Sequence, residues 1–196
     1  MTFTELARGV RERLGQDHRY RHTVRVARCA DLLAQRHGVD PRKARLAGML
    51  HDLARLYPAE RLVAECEARS LGIDAFERAN PVVLHARLGA AIAAESFGVQ
   101  DQDVLAAIEK HTTAAAVMSP LDCVVYLADG LEPERDFPER AALWDLATND
   151  LTSAMRETIK SSIRHLTRKG QSVAPATAAA ARNFGISLEE VGASAN

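Results

Sequence analysis

Four histidines and two aspartates recur along this chain near the ends of predicted helices. They are His22, the adjacent pair His51 and Asp52, His85, His111 and Asp129. Imidazole and carboxylate groups are ligands that proteins use to hold transition metals, and six of them are more than one ion needs. The first hypothesis is therefore a pair of metal ions. A fold that satisfies it must bring the ends of several separate helices to one place.

The rest of the sequence predicts helices throughout. Apolar residues make up 47% of the 196 residues and aromatic residues only 5%, which favours packed helices over a sandwich or barrel. No segment alternates with a period of two, and no hairpin dipeptide separates two apolar runs. Residues that cap helix N-termini precede several apolar segments, at Asp40, Asn80, Asp101, Ser119 and Asp150. We therefore predict an all-α helical bundle, with one domain over residues 1–186 and a flexible tail over 187–196.

Charge, hydropathy and cysteine usage exclude several classes of function. A net charge of −1 provides no electrostatic field to hold a nucleic-acid backbone. No stretch of about 18 uninterrupted apolar residues predicts a membrane span, and the N-terminal residues do not resemble a signal peptide. The three cysteines are far apart and none lies in a CxxC motif, which is typical of a reducing compartment. We expect a cytoplasmic protein.

The chemistry of the six residues suggests how they would be shared between two ions. A carboxylate has two oxygens and can bridge two metals, so Asp52 is the natural bridging ligand. His22, His51 and Asp129 would complete one site, and His85 and His111 would hold the other ion. Two ions about 3.5–4 Å apart can lower the pKa of a water and present a hydroxide to a phosphorus atom. Each residue taken alone also has an ordinary structural explanation, so the hypothesis depends on the whole set.

The remaining histidines do not fit this pattern. His18 lies four residues before His22, a spacing that can bind zinc, but we expect it to face solvent. His37 precedes a glycine in a last helical turn, where a histidine interacts favourably with the helix dipole. His165 matches no motif. The aromatic residues Phe137 and Trp144 could equally belong to the core or to a nucleoside pocket.

The strings around the six residues resemble the HD superfamily of metal-dependent phosphohydrolases, and most of all its YqeK-type branch, the symmetrical bis(5'-nucleosyl)-tetraphosphatases of bacteria. The resemblance covers roughly residues 18–181. An isolated His-Asp dipeptide is weak evidence, whereas the ordered set is specific. The matching strings are RYRH at 19–22, ARLAGMLHDLAR at 44–55, Leu84-His85 followed by Gly89, IEKHTT at 108–113, YLAD at 126–129 and LEP at 131–133.

This resemblance implies an all-α HD-domain bundle whose core holds two metals on the same six ligands. It implies iron, with manganese or another divalent ion as the alternative, and symmetrical hydrolysis of diadenosine tetraphosphate and related dinucleoside polyphosphates to two nucleoside diphosphates. Asp52 and Arg55 are the catalytic residues that we predict. The chain departs from the family pattern at Arg55, where lysine is frequent, and at Gly130, where a bulkier residue is common. These departures concern substrate preference more than metal binding.

A polyphosphate substrate also needs cations and donors near the metals. Our candidates for substrate contacts are Arg19, Arg55, Lys110, Thr112 and Arg135. Alternatively, a basic residue at a helix C-terminus interacts favourably with the helix dipole, and for Lys110 this is the more ordinary explanation. The partner that we expect is a small nucleotide, and a homodimer is left open. Two other functions are considered, another HD-type nucleotide phosphohydrolase or phosphodiesterase and a non-catalytic nucleotide-binding signalling module.

Overall fold

The computed structural model describes residues 2–188 and 191, and all regular elements within that part of the chain are helices. This confirms the all-α prediction. The α-helices are α1 (Phe3–Leu14), α2 (Asp17–Arg36), α3 (Pro41–Leu50), α4 (Ala59–Ala68), α5 (Ala75–Ala79), α6 (Leu84–Phe97), α7 (Gln102–Lys110), α8 (Pro120–Leu131), α9 (Arg140–Asn149), α10 (Leu151–Arg168) and α11 (Pro175–Asn183). A 3-10 turn, Pro81–Val83, leads into α6.

At most of the predicted helix starts, a side chain caps the N-terminus of the helix. The carboxylate of Asp40 accepts hydrogen bonds from two backbone amides at the start of α3, and Ser119 forms a reciprocal capping box with Asp122 at the start of α8. Asp101 and Asp150 cap α7 and α10 in the same way.

The prediction for Asn80 was wrong. Its side-chain amide donates to the carbonyl oxygen of Phe76, 2.9 Å away, and so it closes the short helix α5 instead of opening α6. Helix α5 was not predicted from the sequence, although Asp74 begins it with a capping box to Glu77. A helix of five residues is too short to show an apolar periodicity.

The centre of the bundle is formed by α2, α3, α7 and α8. Helix α2 packs against α3 and α8, while α7 packs against α3, α6 and α8. Gly48 allows α2 and α3 to approach closely, because a Cβ atom at this position would lie only 2.8 Å from the Cα atom of Ala27. Helices α9 and α10 also pack against α8. This arrangement directs the ends of five helices towards one point.

Three further expectations concerned the cysteines, membrane-spanning segments and the C-terminal tail. Cys29, Cys66 and Cys123 are buried and free. No helix within 2–188 has both the length and the apolar character needed to cross a membrane. Most of the tail predicted over 187–196 lies outside the described residues, apart from the partly buried Leu188, the buried Val191 and Ser187. The domain boundary at residue 186 stays a prediction.

Candidate metal centre

The six residues predicted as metal ligands converge at the centre of the bundle. His22 lies in the second turn of α2, and His85 is the second residue of α6. His51 ends α3 and is followed by Asp52, and His111 ends α7. Asp129 lies in the last turn of α8. All except the partly exposed Asp129 are buried. Gly89 lets α6 approach this point, since a Cβ atom there would lie 3.2 Å from the carbonyl oxygen of His51.

One oxygen of Asp52 faces the first group of donor atoms. Its Oδ2 atom lies 3.8 Å from Nε2 of His22 and 3.5 Å from Nε2 of His51. Asp129 completes this group, with its Oδ1 atom 3.0 Å from Nε2 of His22 and 3.7 Å from Nε2 of His51. Ligands that share an ion at about 2.0–2.2 Å are expected to lie roughly 3–4 Å apart, so these separations suit one metal ion.

The other oxygen of Asp52 faces the second group. Its Oδ1 atom lies 3.4 Å from Nε2 of His85 and 3.8 Å from Nε2 of His111, and these two nitrogens are 3.2 Å apart. The donor atoms of His22, His51 and Asp129, and separately those of His51, Asp52 and His111, all lie within 4.8 Å of one another. The structure thus places the two oxygens of Asp52 between two groups of donors, which suits a bridging ligand.

Hydrogen bonds on the far side of each ring orient the four imidazoles. In every case the Nδ1 atom donates to an oxygen, so Nε2 is the nitrogen that can give up its proton and coordinate a metal. The acceptors are the carbonyl oxygen of Gly48 for His51, that of Val82 for His85, that of Ile108 for His111, and the carboxylate of Glu132 for His22.

Charge in the cluster also favours a bound cation. Nε2 of His51 lies 3.3 Å from Nε2 of His22, so two lone pairs meet unless a proton or a metal ion lies between them. Burial by itself would lower the pKa of His51, but the carboxylates of Asp52 and Asp129, together with the hydrogen bond to Gly48, outweigh it and raise this pKa to about 9. Burial and the neighbouring positive charge lower the pKa of His111 to about 3. The cluster therefore favours positive charge, but its imidazole rings cannot all be protonated at once. Metal ions can supply this positive charge, and the donor set fits them.

Two residues behind His22 were not singled out by the sequence analysis. Glu132 is 2% exposed, accepts from Nδ1 of His22 at 3.1 Å, and accepts from Nε of Arg25 at 2.6 Å. Burial opposes ionisation of Glu132, yet the hydrogen bond from Arg25 prevails and lowers its pKa to about 2. Glu132 is therefore an anion that fixes the His22 ring. Two features of the sequence could have indicated this role of Glu132, namely its place in the LEP string and the position of Arg25 one turn after His22.

A cavity of about 350 Å³ opens onto the donor atoms and carries the cations expected for a phosphate. Arg19, Arg55 and Arg135 all line it. Nη1 of Arg19 lies 3.7 Å from Oδ2 of Asp52, and Arg135 donates to the Asp129 carboxylate at 2.5 Å. Positive charge thus surrounds the predicted ligands on the side that a substrate would approach.

Thr112 also lines this cavity and lies directly beside the second donor group. Its hydroxyl oxygen is 3.1 Å from the Nε2 atoms of both His85 and His111.

Lys110 does not line the cavity, contrary to its place among our candidate substrate contacts. Its ammonium group lies 2.6 Å from the carboxylate of the buried Asp122, so this side chain connects α7 to the start of α8. Because an amine at the end of α7 can reach either a substrate or α8, its sequence position alone could not decide. The histidines that the sequence analysis set aside stay outside the six-residue cluster, and the ring of His37 lies 2.6 Å from the carbonyl oxygen of Ala147.

Comparisons with known proteins agree with this geometry. The HD domain family model matches residues 19–134. The chain is 38% identical to a symmetrical bis(5'-nucleosyl)-tetraphosphatase of Bacillus subtilis over 82% of this chain and 86% of that protein. A relative of the same name from Halalkalibacterium halodurans is 35% identical over 83% and 87% of the two chains.

A solved structure shows the same fold. The crystal structure of a predicted HD superfamily hydrolase involved in NAD metabolism from Clostridium acetobutylicum superposes with a TM-score of 0.90 and 31% identity. The superposition covers 94% of this chain and 97% of the other. Family model, relatives and solved structure all point to one assignment, and the chain belongs to the HD domain family.

Proposed function

We propose that this chain hydrolyses dinucleoside tetraphosphates symmetrically, converting diadenosine tetraphosphate to two ADP with two metal ions held on the six ligands. The observation that carries the proposal is the position of Asp52, whose two oxygens face two separate groups of donor atoms. The relatives named as symmetrical bis(5'-nucleosyl)-tetraphosphatases support the choice of substrate. Two ions held by these residues would supply an acidified water and neutralise charge on a phosphate.

The cations of the cavity define what this chain adds to the metals. Arg19 and Arg135 are held by the carboxylates of Asp52 and Asp129, and their remaining N–H groups can donate to phosphate oxygens. Arg55 is the most available of the three, because no carboxylate in the described part of the chain lies within ion-pair distance of it. These three guanidinium groups would hold one nucleoside diphosphate portion so that an inner phosphorus atom lies at the metal centre.

The native metal is the finer part of the proposal. We propose iron at both positions, with manganese or another divalent ion as the alternative. Histidine and carboxylate ligands suit all of these ions, so the donor set supports metal binding without selecting one metal. Elemental analysis of protein purified without chelators should give two transition-metal atoms per chain, and the absence of transition metal under these conditions would contradict the proposal.

Product analysis tests the cleavage position. Metal-replete protein incubated with diadenosine tetraphosphate should release ADP as the only nucleotide, as resolved by ion-exchange chromatography. AMP and ATP in equal amounts would show that the phosphorus at the metals is an outer one and would overturn the symmetrical reaction. Turnover of a mononucleotide or cyclic nucleotide in place of the dinucleotide would support the alternative of another HD-type phosphohydrolase.

A further inference from the structure

A second hollow, of about 770 Å³, adjoins the metal cavity. It lies between α10, the start of α9 and the segment 134–139 that follows α8. The two spaces share part of their walls and adjoin each other, and together they are called the groove. The shared residues are Thr112, Gly130, Arg135, Thr158 and Ser162.

Gly130 keeps the junction between the two spaces open. It lies in the last turn of α8, and apart from its own helix a Cβ atom there would meet only Cγ2 of Thr158, at the ordinary contact distance of 3.9 Å. The space is therefore not filled by neighbouring backbone. A longer side chain at this position would extend into the groove and narrow it.

Thr158 lies at the same junction. It is 5% exposed, and its hydroxyl oxygen is buried without a hydrogen-bond partner in the structure. It nevertheless lines both spaces. Because Thr158 lines both spaces, its side chain forms part of the wall where they meet.

The second hollow combines flat rings and apolar walls with polar groups at its edge. Phe137, Leu143 and Leu166 supply the apolar surface, while His165 and Arg168 supply polar groups. A nucleobase stacks on aromatic rings and on guanidinium groups, and a ribose offers hydroxyls to hydrogen-bonding side chains. Inorganic phosphate would not use the apolar part of this surface.

We infer that the second hollow binds one nucleoside of the substrate, and that Gly130 and Thr158 form the passage through which the polyphosphate reaches the metals. The base lies against Phe137 and His165. This inference rests on the proposed function, because it takes the phosphates of the same molecule to lie at the metal centre. It makes the groove selective for nucleotides over inorganic polyphosphate.

Direct binding to metal-loaded protein tests the inference without relying on turnover. Calorimetry with ADP and with inorganic pyrophosphate compares a ligand that has a nucleoside with one that has none. Phe137→Ala should weaken ADP binding at least about five-fold, the lower end of the effect of losing one base stack. Its pyrophosphate binding should stay unchanged, which also shows that the variant is folded and loaded. Phe3→Ala, a half-exposed phenylalanine on α1, is the matched control and should change neither.

The outcomes separate this inference from the proposed function. If Phe137→Ala binds ADP as tightly as the unmodified protein, or loses pyrophosphate binding equally, the second hollow is not a nucleoside site and the inference is overturned. If the ADP effect appears but the unmodified protein does not cleave diadenosine tetraphosphate, the nucleoside site stands and the proposed reaction fails.

Discussion

Replacing Glu132 with glutamine should weaken metal binding although Glu132 is not itself a predicted ligand. The carboxylate accepts four hydrogen bonds, one from Nδ1 of His22 at 3.1 Å, two from Arg25 at 2.6 and 3.2 Å, and one from the backbone amide of Glu134 at 2.9 Å. Its lowered pKa keeps it ionised at neutral pH. An amide has only one acceptor atom. If that oxygen stays with Arg25 and Glu134, the NH2 group faces the N–H of His22, and two donors oppose each other.

The expected loss of metal affinity is about 10- to 100-fold, the usual effect of removing the partner of a ligating histidine, or roughly 1.4–2.7 kcal/mol. Competition with a chromophoric chelator measures it, and circular dichroism monitors the helical fold. The matched control is Glu134→Gln, because Glu134 also pairs with Arg25, at 2.9 Å, but is 69% exposed and has no contact with His22. Equal affinity losses in the two variants, or no loss in Glu132→Gln, would refute the role assigned to Glu132.

Three further predictions concern the bridging ligand, the thiols and the helix packing. Asp52→Ala should abolish hydrolysis in metal-replete buffer and should reduce metal affinity at least about 10-fold, while the circular dichroism spectrum stays helical. Full activity of this variant would show that Asp52 is not a metal ligand. All three cysteines are buried, and burial raises the pKa of Cys123 to about 12. A disulfide reagent at pH 8 should therefore modify the thiols only after denaturation. Rapid reaction of the folded protein would contradict the burial of these thiols. Gly48→Ala should cost about 1–3 kcal/mol, seen as a melting temperature lower by several degrees, because the new methyl group would overlap Ala27. Gly72→Ala, with open space around it, is the control and should melt nearly as the unmodified protein does.

The sequence by itself determined the fold class and the identity of the predicted ligands. Apolar periodicity and cap residues are local signals, so Asp40, Ser119 and Asp150 marked helix starts that the structure confirms. The six residues could be predicted as ligands because metal coordination restricts residue type, and because they occur in a fixed order along the chain. Local signals failed at Asn80, where the short helix before it and the 3-10 turn after it changed which helix the side chain serves.

Only the tertiary structure decided how distant residues meet. That the two oxygens of Asp52 face different donor groups depends on the packing of five helices, which no local pattern encodes. The same packing gives Glu132 its place behind His22 and draws Lys110 to Asp122, away from the cavity. It also joins the metal cavity to the second hollow beside Gly130. The physical reason is that burial and pairing energies act between side chains far apart in sequence, so they depend on distances that only the folded chain defines.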